Sequence, residues 1–226
     1  NKAMNRLIIG NKNYSSWSLR PWLVLKEFKI PFQETRIALY EEGSKQKLLE
    51  HTASGKVPAF YHDDYVVWDS LAICEVLNDL YPQENLWPQQ PAARALARSL
   101  SNEMHSGFFE IRNQLPMNCR TSITLPNINA GLQQDINRIR EIWSLCREQY
   151  QHEGDFLLGS FSICDAMFAP IVLRFNSYGI PVSDTEKQYM KHMLALDSMQ
   201  EWIKDGINES EVMPMNEAQA VLECTA

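Results

Sequence analysis

The first 80 residues alternate between short apolar runs and longer stretches with apolar residues on one helical face. Residues 6–10 (Arg-Leu-Ile-Ile-Gly) form an apolar run of strand length, as a buried strand requires. Residues 17–29 place Trp22, Leu25 and Phe28 on one side of a helix. Residues 34–38 predict a second strand and 44–51 a short helix. Residues 57–61 and 65–68 predict two strands joined at Asp63-Asp64. Residues 70–80 predict a helix, with Ile73, Val76, Leu77 and Leu80 apolar at helical spacing. The order β-α-β-α-β-β-α predicts a small mixed sheet covered by helices.

The pattern changes after Tyr81. Pro82, Pro88 and Pro91 fall within ten residues, and a helix does not run through such a segment, so 83–91 predicts a linker. Beyond it, 92–112, 128–151, 163–176 and 185–204 carry helical periodicity, which predicts an all-helical part of four or five helices. The predicted organisation is a mixed domain at 4–82, the linker at 83–91, a helical domain at 92–206 and a tail at 207–226. The tail holds four acidic residues, no basic ones and Pro214, and is expected to fray or to wrap the surface.

Composition and charge narrow the function. With 45% hydrophobic and 22% charged residues, the 226-residue chain has the balance of an ordered globular protein and not of a disordered one. The 10 basic and 10 acidic residues of 1–82 cancel, so the net charge of −7 belongs to the remainder. Without a basic domain or stripe, nucleic acid is not an expected partner. The longest apolar run, 168–175, is interrupted by Pro170 and Arg174 and falls short of the roughly 18 residues of a membrane span, so no membrane partner is expected. No secretory pattern stands near Asn1, and Met4 is the expected natural start. The five cysteines are widely spaced without a Cys-x-x-Cys pair, which predicts reduced thiols in a cytoplasmic protein and no metal site.

Three segments carry candidate chemistry. Tyr14-Ser15-Ser16-Trp17-Ser18-Leu19-Arg20-Pro21 follows the first strand and opens the first helix, with Pro21 expected in its first turn. The serines there serve as N-caps, or use the same geometry to donate to an anion such as a thiolate held at the helix N-terminus. Such donation lowers a thiol pKa. In Gly55-Lys56-Val57-Pro58-Ala59-Phe60, Pro58 marks either an edge strand or a cis Val57–Pro58 bond that turns the Val57 backbone toward an extended ligand. In Trp68-Asp69-Ser70, the polar pair caps a helix, or receives a carboxylate at Ser70 and an ammonium at Asp69.

Together these segments resemble the glutathione transferase superfamily, over residues 7–204. Ser15-Ser16-Trp17-Ser18-Leu19-Arg20 resembles the Ser-Ser-Cys-Ser-x-Arg start of the zeta class, the maleylacetoacetate isomerases, with Trp17 in place of the cysteine and Pro21-Trp22 in place of Val-Arg. Val57-Pro58 sits where the family has its cis-proline, and Asp69-Ser70 matches its acidic-Ser pair. Gly159-Ser160-Phe161-Ser162-Ile163-Cys164-Asp165 resembles its helix-capping motif, with a capping-box spacing from Ser162 to Asp165. The resemblance implies an α/β thioredoxin-like N-terminal domain followed by an all-α helical domain. It implies that Ser15, five residues before Arg20, activates the glutathione sulfur, with Ser16 as the alternative. Tyr14, just ahead, is in a poorer register for that role. Val57, Pro58, Asp69, Ser70 and Lys56 are then the glutathione-binding residues.

By the same resemblance the electrophile site lies partly on the first helix of the second domain. Ser101, His105 and Phe108 share a face there, with Arg112 one turn further. Met104 and Phe108 would supply an apolar wall, and His105 and Arg112 would orient a polar substrate; the alternative is that this stripe is interdomain core. Asn118 and Arg120 are placed to reach the same cleft. The expected activity is a glutathione S-transferase: glutathione as cosubstrate, no metal, a small electrophile as partner and a serine hydroxyl as activator. The alternatives are a glutathione-dependent peroxidase, dehalogenase or isomerase, or a non-catalytic binding module. The resemblance also implies a cytoplasmic homodimer engaged in detoxification.

Overall fold

The computed structural model describes residues 4–226, so the residues ahead of Met4, on which the choice of natural start bears, lie outside the described residues. Four strands, β1 (Asn5–Ile9), β2 (Gln33–Arg36), β3 (Ala59–His62) and β4 (Tyr65–Trp68), form one sheet in the order β2-β1-β3-β4. β2 runs parallel to β1, while β3 and β4 are antiparallel to their neighbours. The period of two along β1 splits its apolar run between two cores. Leu7 and Ile9 join the large core with Trp22, Phe60 and Leu77, and Ile8 faces a small one with Ile37, Leu48 and Ala59. Helices α1 (Ser16–Glu27) and α3 (Ser70–Leu80) therefore cover one face and α2 (Ser44–His51) the other. The mixed sheet and its helices, followed by a helical region, match the thioredoxin-like and all-α architecture expected from the sequence.

After a short 3-10 turn at Pro82–Glu84 the chain is helical: α4 (Pro91–Ser106), α5 (Phe109–Gln114), α6 (Ala130–Tyr150), α7 (Ile163–Ser177), α8 (Asp184–Leu194), α9 (Asp197–Asn208) and α10 (Ala218–Thr225). Six of these lie where four or five were expected, for two local reasons, and α10 belongs to the tail. The predicted helix at 92–112 breaks where Phe108 takes a left-handed φ of 62°, and that at 185–204 breaks at Ala195 and Leu196. The tail does not fray; it wraps the surface and ends in a helix that buries Val221 and Thr225. α7 is almost wholly buried and packs against both α1 and α4. Its start carries the expected capping box, in which Ser162 Oγ accepts from Cys164 N and the Asp165 carboxylate accepts from Ser162 N and Leu157 N. The segment after Pro82 is held down: Leu86 and Trp87 are buried, and the Leu86 carbonyl accepts from Ile163 N. Pro21 lies in the second turn of α1, past the first turn the sequence suggested, because Ser15 caps the helix and Ser16 begins it. Among the described residues no helix is long and apolar enough to cross a membrane.

Candidate functional site

The N-terminus of α1 sits at the mouth of two adjoining cavities. One, of about 840 Å³, is bordered by Ser15, Ser16, Trp17, Arg112, Arg174 and Met213. The other, of about 520 Å³, is bordered by Val57, Pro58, Asp69, Ser70 and His105. Trp17, Lys56 and Val57 border both, so the indole divides one cleft into two compartments.

The smaller compartment gathers the expected glutathione residues. The Val57–Pro58 bond is cis. Asp69 holds a left-handed φ of 79°, a conformation that favours glycine and is retained where the surroundings enforce it. Its carboxylate accepts from Ala72 N at 3.0 Å, capping α3, and meets His105 Nε2 at 2.8 Å. Ser70 Oγ is buried and, among the described residues, has no hydrogen-bond partner. An orphaned hydroxyl at a helix N-terminus, in a cavity wall, fits the carboxylate end of an amino-acid ligand.

Both candidate activating serines border the larger compartment, and their hydroxyls differ. Ser15 Oγ accepts from Ser18 N at 3.4 Å and lies 2.7 Å from Ser18 Oγ, which in turn accepts from Gly10 N at 3.1 Å. Ser15 is thus the N-cap. Ser16 Oγ accepts from Arg174 Nη2 at 3.3 Å, which leaves its own proton free to donate. Tyr14 also borders the larger compartment, but its hydroxyl donates to Glu217, and burial together with that carboxylate raises its pKa, so it is a neutral phenol.

Three guanidiniums gather around Trp17 and Ser16. The Arg20 and Arg112 guanidiniums lie 4.7 and 4.6 Å from the Trp17 ring centre, with the His105 ring edge-on at 5.4 Å. Arg20 donates Nε to the Met167 carbonyl and Arg112 donates to the carbonyls of Met104, His105 and Gly107. Arg20 Nη1 and Nη2, Arg112 Nη1, and Arg174 Nε and Nη1 are buried without partners. Among the described residues none of these three arginines pairs with a carboxylate. Burial, and the neighbouring arginines, push the Arg20 pKa well down; burial lowers that of Arg112 and brings Arg174 to about 10.

The expected electrophile residues separate. Arg112 borders the large compartment. His105 borders the smaller one, bound to Asp69, because it projects from α4 toward α3. Ser101 is fully buried beside Cys164, and Met104 and Phe108 belong to the large core; none of the three borders either compartment. The break at Gly107 removes Phe108 from the α4 face it was expected to share with Ser101 and His105. Asn118 and Arg120 bind the tail instead of facing the cleft. Sequence reasoning missed Arg174, Met213 and Met215 as cleft residues. For Arg174 a signal exists, the one cation of α7, set directly after the apolar run Ile171-Val172-Leu173.

Comparison with known proteins agrees with this geometry. Residues 14–80 match the family described as glutathione S-transferase, N-terminal domain. A probable maleylacetoacetate isomerase of Caenorhabditis elegans is 28% identical over 172 residues, 74% of this chain and 77% of that protein. Maleylacetoacetate isomerase of Rattus norvegicus is 27% identical over 82% of this chain and 85% of its own. Among solved structures, a glutathione transferase homologue from Burkholderia with bound glutathione superposes with a TM-score of 0.69 at 23% identity, covering 91% of this chain and all of that one. With the sheet order and the serine-capped first helix already in place, residues 14–80 match a glutathione S-transferase N-terminal domain, the chain is similar to maleylacetoacetate isomerases, and its fold is that of the glutathione transferase structures.

Proposed function

We propose that the protein is an enzyme that activates the thiol of glutathione at the N-terminus of α1 for attack on a small electrophile. The observation that carries this reading is the continuous cleft running from the orphaned Ser70 hydroxyl, past Val57–Pro58, to Ser15 and Ser16. In it, Ser70 and the α3 N-terminus receive the γ-glutamyl carboxylate, Asp69 accepts from the ammonium, and the Val57 backbone pairs with the extended peptide. Lys56, on the border of both compartments, faces a glutathione carboxylate. A serine hydroxyl then donates to the sulfur. The thiol proton passes to solvent, and the thiolate forms a carbon–sulfur bond as the leaving group departs with its bonding pair or the adjacent carbon is protonated.

A hydrogen bond to a charged acceptor is worth about 1.5–3 kcal/mol, or about one to two pKa units on the thiol. Ser15, by its spacing to Arg20, and Ser16, by its free proton, are the two candidate donors. Replacing each by Ala and following conjugation of an aryl halide tests the reading. A fall of about 10–100-fold in kcat/KM in one variant supports it, and unchanged turnover in both contradicts it.

A second reading, that the second substrate is an anion, is favoured by the three unpaired arginines. Arg174 and Arg112 border the large compartment with buried N–H groups that a carboxylate would satisfy. Isomerase-type chemistry on such a substrate accords with the names of the relatives. Comparing a carboxylated with a neutral aryl halide in the parent and in Arg174→Gln tests it: the preference for the carboxylated probe disappears in the variant, and a preference untouched by the substitution contradicts it.

A further inference from the structure

Glu209, Glu211 and Glu217 of the acidic tail are each tied to the body of the protein. The Glu209 carboxylate accepts from the backbone N–H groups of Lys12 and Asn13, each at 2.9 Å, and Gly206 lets the end of α9 pass within 3.1 Å of Asn13, measured from where a Cβ would stand. Glu211 pairs with Arg36 at 2.7 Å. Arg120 donates to the carbonyls of Glu209 and Glu211 at 2.7 and 2.8 Å. The Tyr14 hydroxyl is the hub: it accepts from Arg120 Nη2 at 2.8 Å and Met213 N at 2.9 Å and donates to Glu217. Asn118, itself buried, donates to the Asn216 carbonyl and to Glu217 at 3.0 and 3.1 Å. This is a built strap, tied to the residues immediately ahead of the serine pair, and it lays Met213 and Met215 along the large compartment.

We infer that residues 209–217 are a wall of the second-substrate site, in which Met213 and Met215 select for an apolar body on the electrophile, and that Tyr14 is the positioning residue that holds this wall. The inference rests on the glutathione transferase reading above. A thioether side chain is flexible and polarizable, so it accommodates alkyl and aryl groups of different outline without demanding one shape. The arrangement also explains what Tyr14 does, since its proton is committed to Glu217, on the tail side, and is not presented to a thiol.

The test uses α,β-unsaturated aldehydes that share one reactive group and differ in alkyl chain length. The parent, Met213→Ala/Met215→Ala and Tyr14→Phe chains are compared by kcat/KM on a short and a long member. In parallel, glutathione affinity is measured by calorimetry and amide exchange is followed over 209–217. The expected result is a loss of about tenfold in the long-chain preference of the methionine variant, expressed in KM, with glutathione affinity retained. Tyr14→Phe loses the same preference and its amides at 209–217 exchange faster. An unchanged preference in both variants of an active enzyme overturns the inference alone. Loss of the thiolate absorbance of bound glutathione in Tyr14→Phe overturns it as well, by making Tyr14 the activator. A parent that binds glutathione but turns over no aldehyde and no aryl halide overturns the transferase reading and the strap's role with it.

Discussion

At the residue scale, the informative atoms are the ones left without partners. A buried hydroxyl or guanidinium N–H with no acceptor costs more than it returns, so its persistence points to a ligand. Ser70 is the simplest case: its Oγ is orphaned at the start of α3 beside the strained Asp69. Ser70→Ala is expected to weaken glutathione binding about 10–100-fold with little change in melting temperature, because it removes a hydrogen bond formed only with ligand. Calorimetry and a thermal melt check this together, and equal affinity in the variant contradicts the assignment. Arg174 is the second case. It is buried among apolar residues of α7, with two unpartnered nitrogens and no carboxylate at hand. Arg174→Met replaces a desolvated, unpaired cation by an apolar group of similar length. Stability is therefore expected to hold or rise while the preference for carboxylated electrophiles is lost. A loss of more than about 2 kcal/mol in a denaturant titration shows instead that the guanidinium is structural.

At the scale of elements, order and type were legible and the interruptions were not. The seven elements of the first 80 residues follow from local signals: the run at Leu7 to Ile9, the serines before α1, the Asp69 cap of α3. The break between α4 and α5 depends on Phe108 turning left-handed to stay in the core while α5 reverses toward Asp135, whose carboxylate accepts from Glu110 N and Ile111 N. That is tertiary information, which periodicity does not contain. The capping box of α7 was legible because it is local. Ser162→Ala is expected to lower stability by about 1 kcal/mol, a melting shift of about 2–4 °C, with glutathione affinity retained. A melt that does not move shows that burial of α7, and not its cap, sets its start.

At the scale of the molecule, the site is assembled from segments far apart in sequence, and this limited its legibility. Val57, Pro58, Asp69 and Ser70, which border one compartment, could be named as candidates because each sits in a short motif within the first 82 residues. The tail could not, since its partners Lys12, Arg36 and Arg120 stand at distances of about a hundred residues or more, and its own pattern is polar without period. Sheet-edge strand β4 exposes Tyr65 and Trp68, with Trp68 half exposed at 51%. We propose that this edge faces a second copy of the chain. A sedimentation mass near twice 26.1 kDa, falling to the monomer in Trp68→Glu, is the expected result. A parent that sediments as a monomer at micromolar concentration contradicts it.

The proposed chemistry requires a hydroxyl at the N-terminus of α1 that makes the bound thiol of glutathione more acidic. A pH titration of the ultraviolet thiolate absorbance of bound glutathione, in the parent and in Ser15→Ala and Ser16→Ala, tests it most directly. The bound thiol is expected to ionise at lower pH than free glutathione, with a return of about one to two pKa units toward the free value in one of the two variants. A bound thiol that titrates like the free one in the parent, or a depressed value that survives both substitutions, would contradict it.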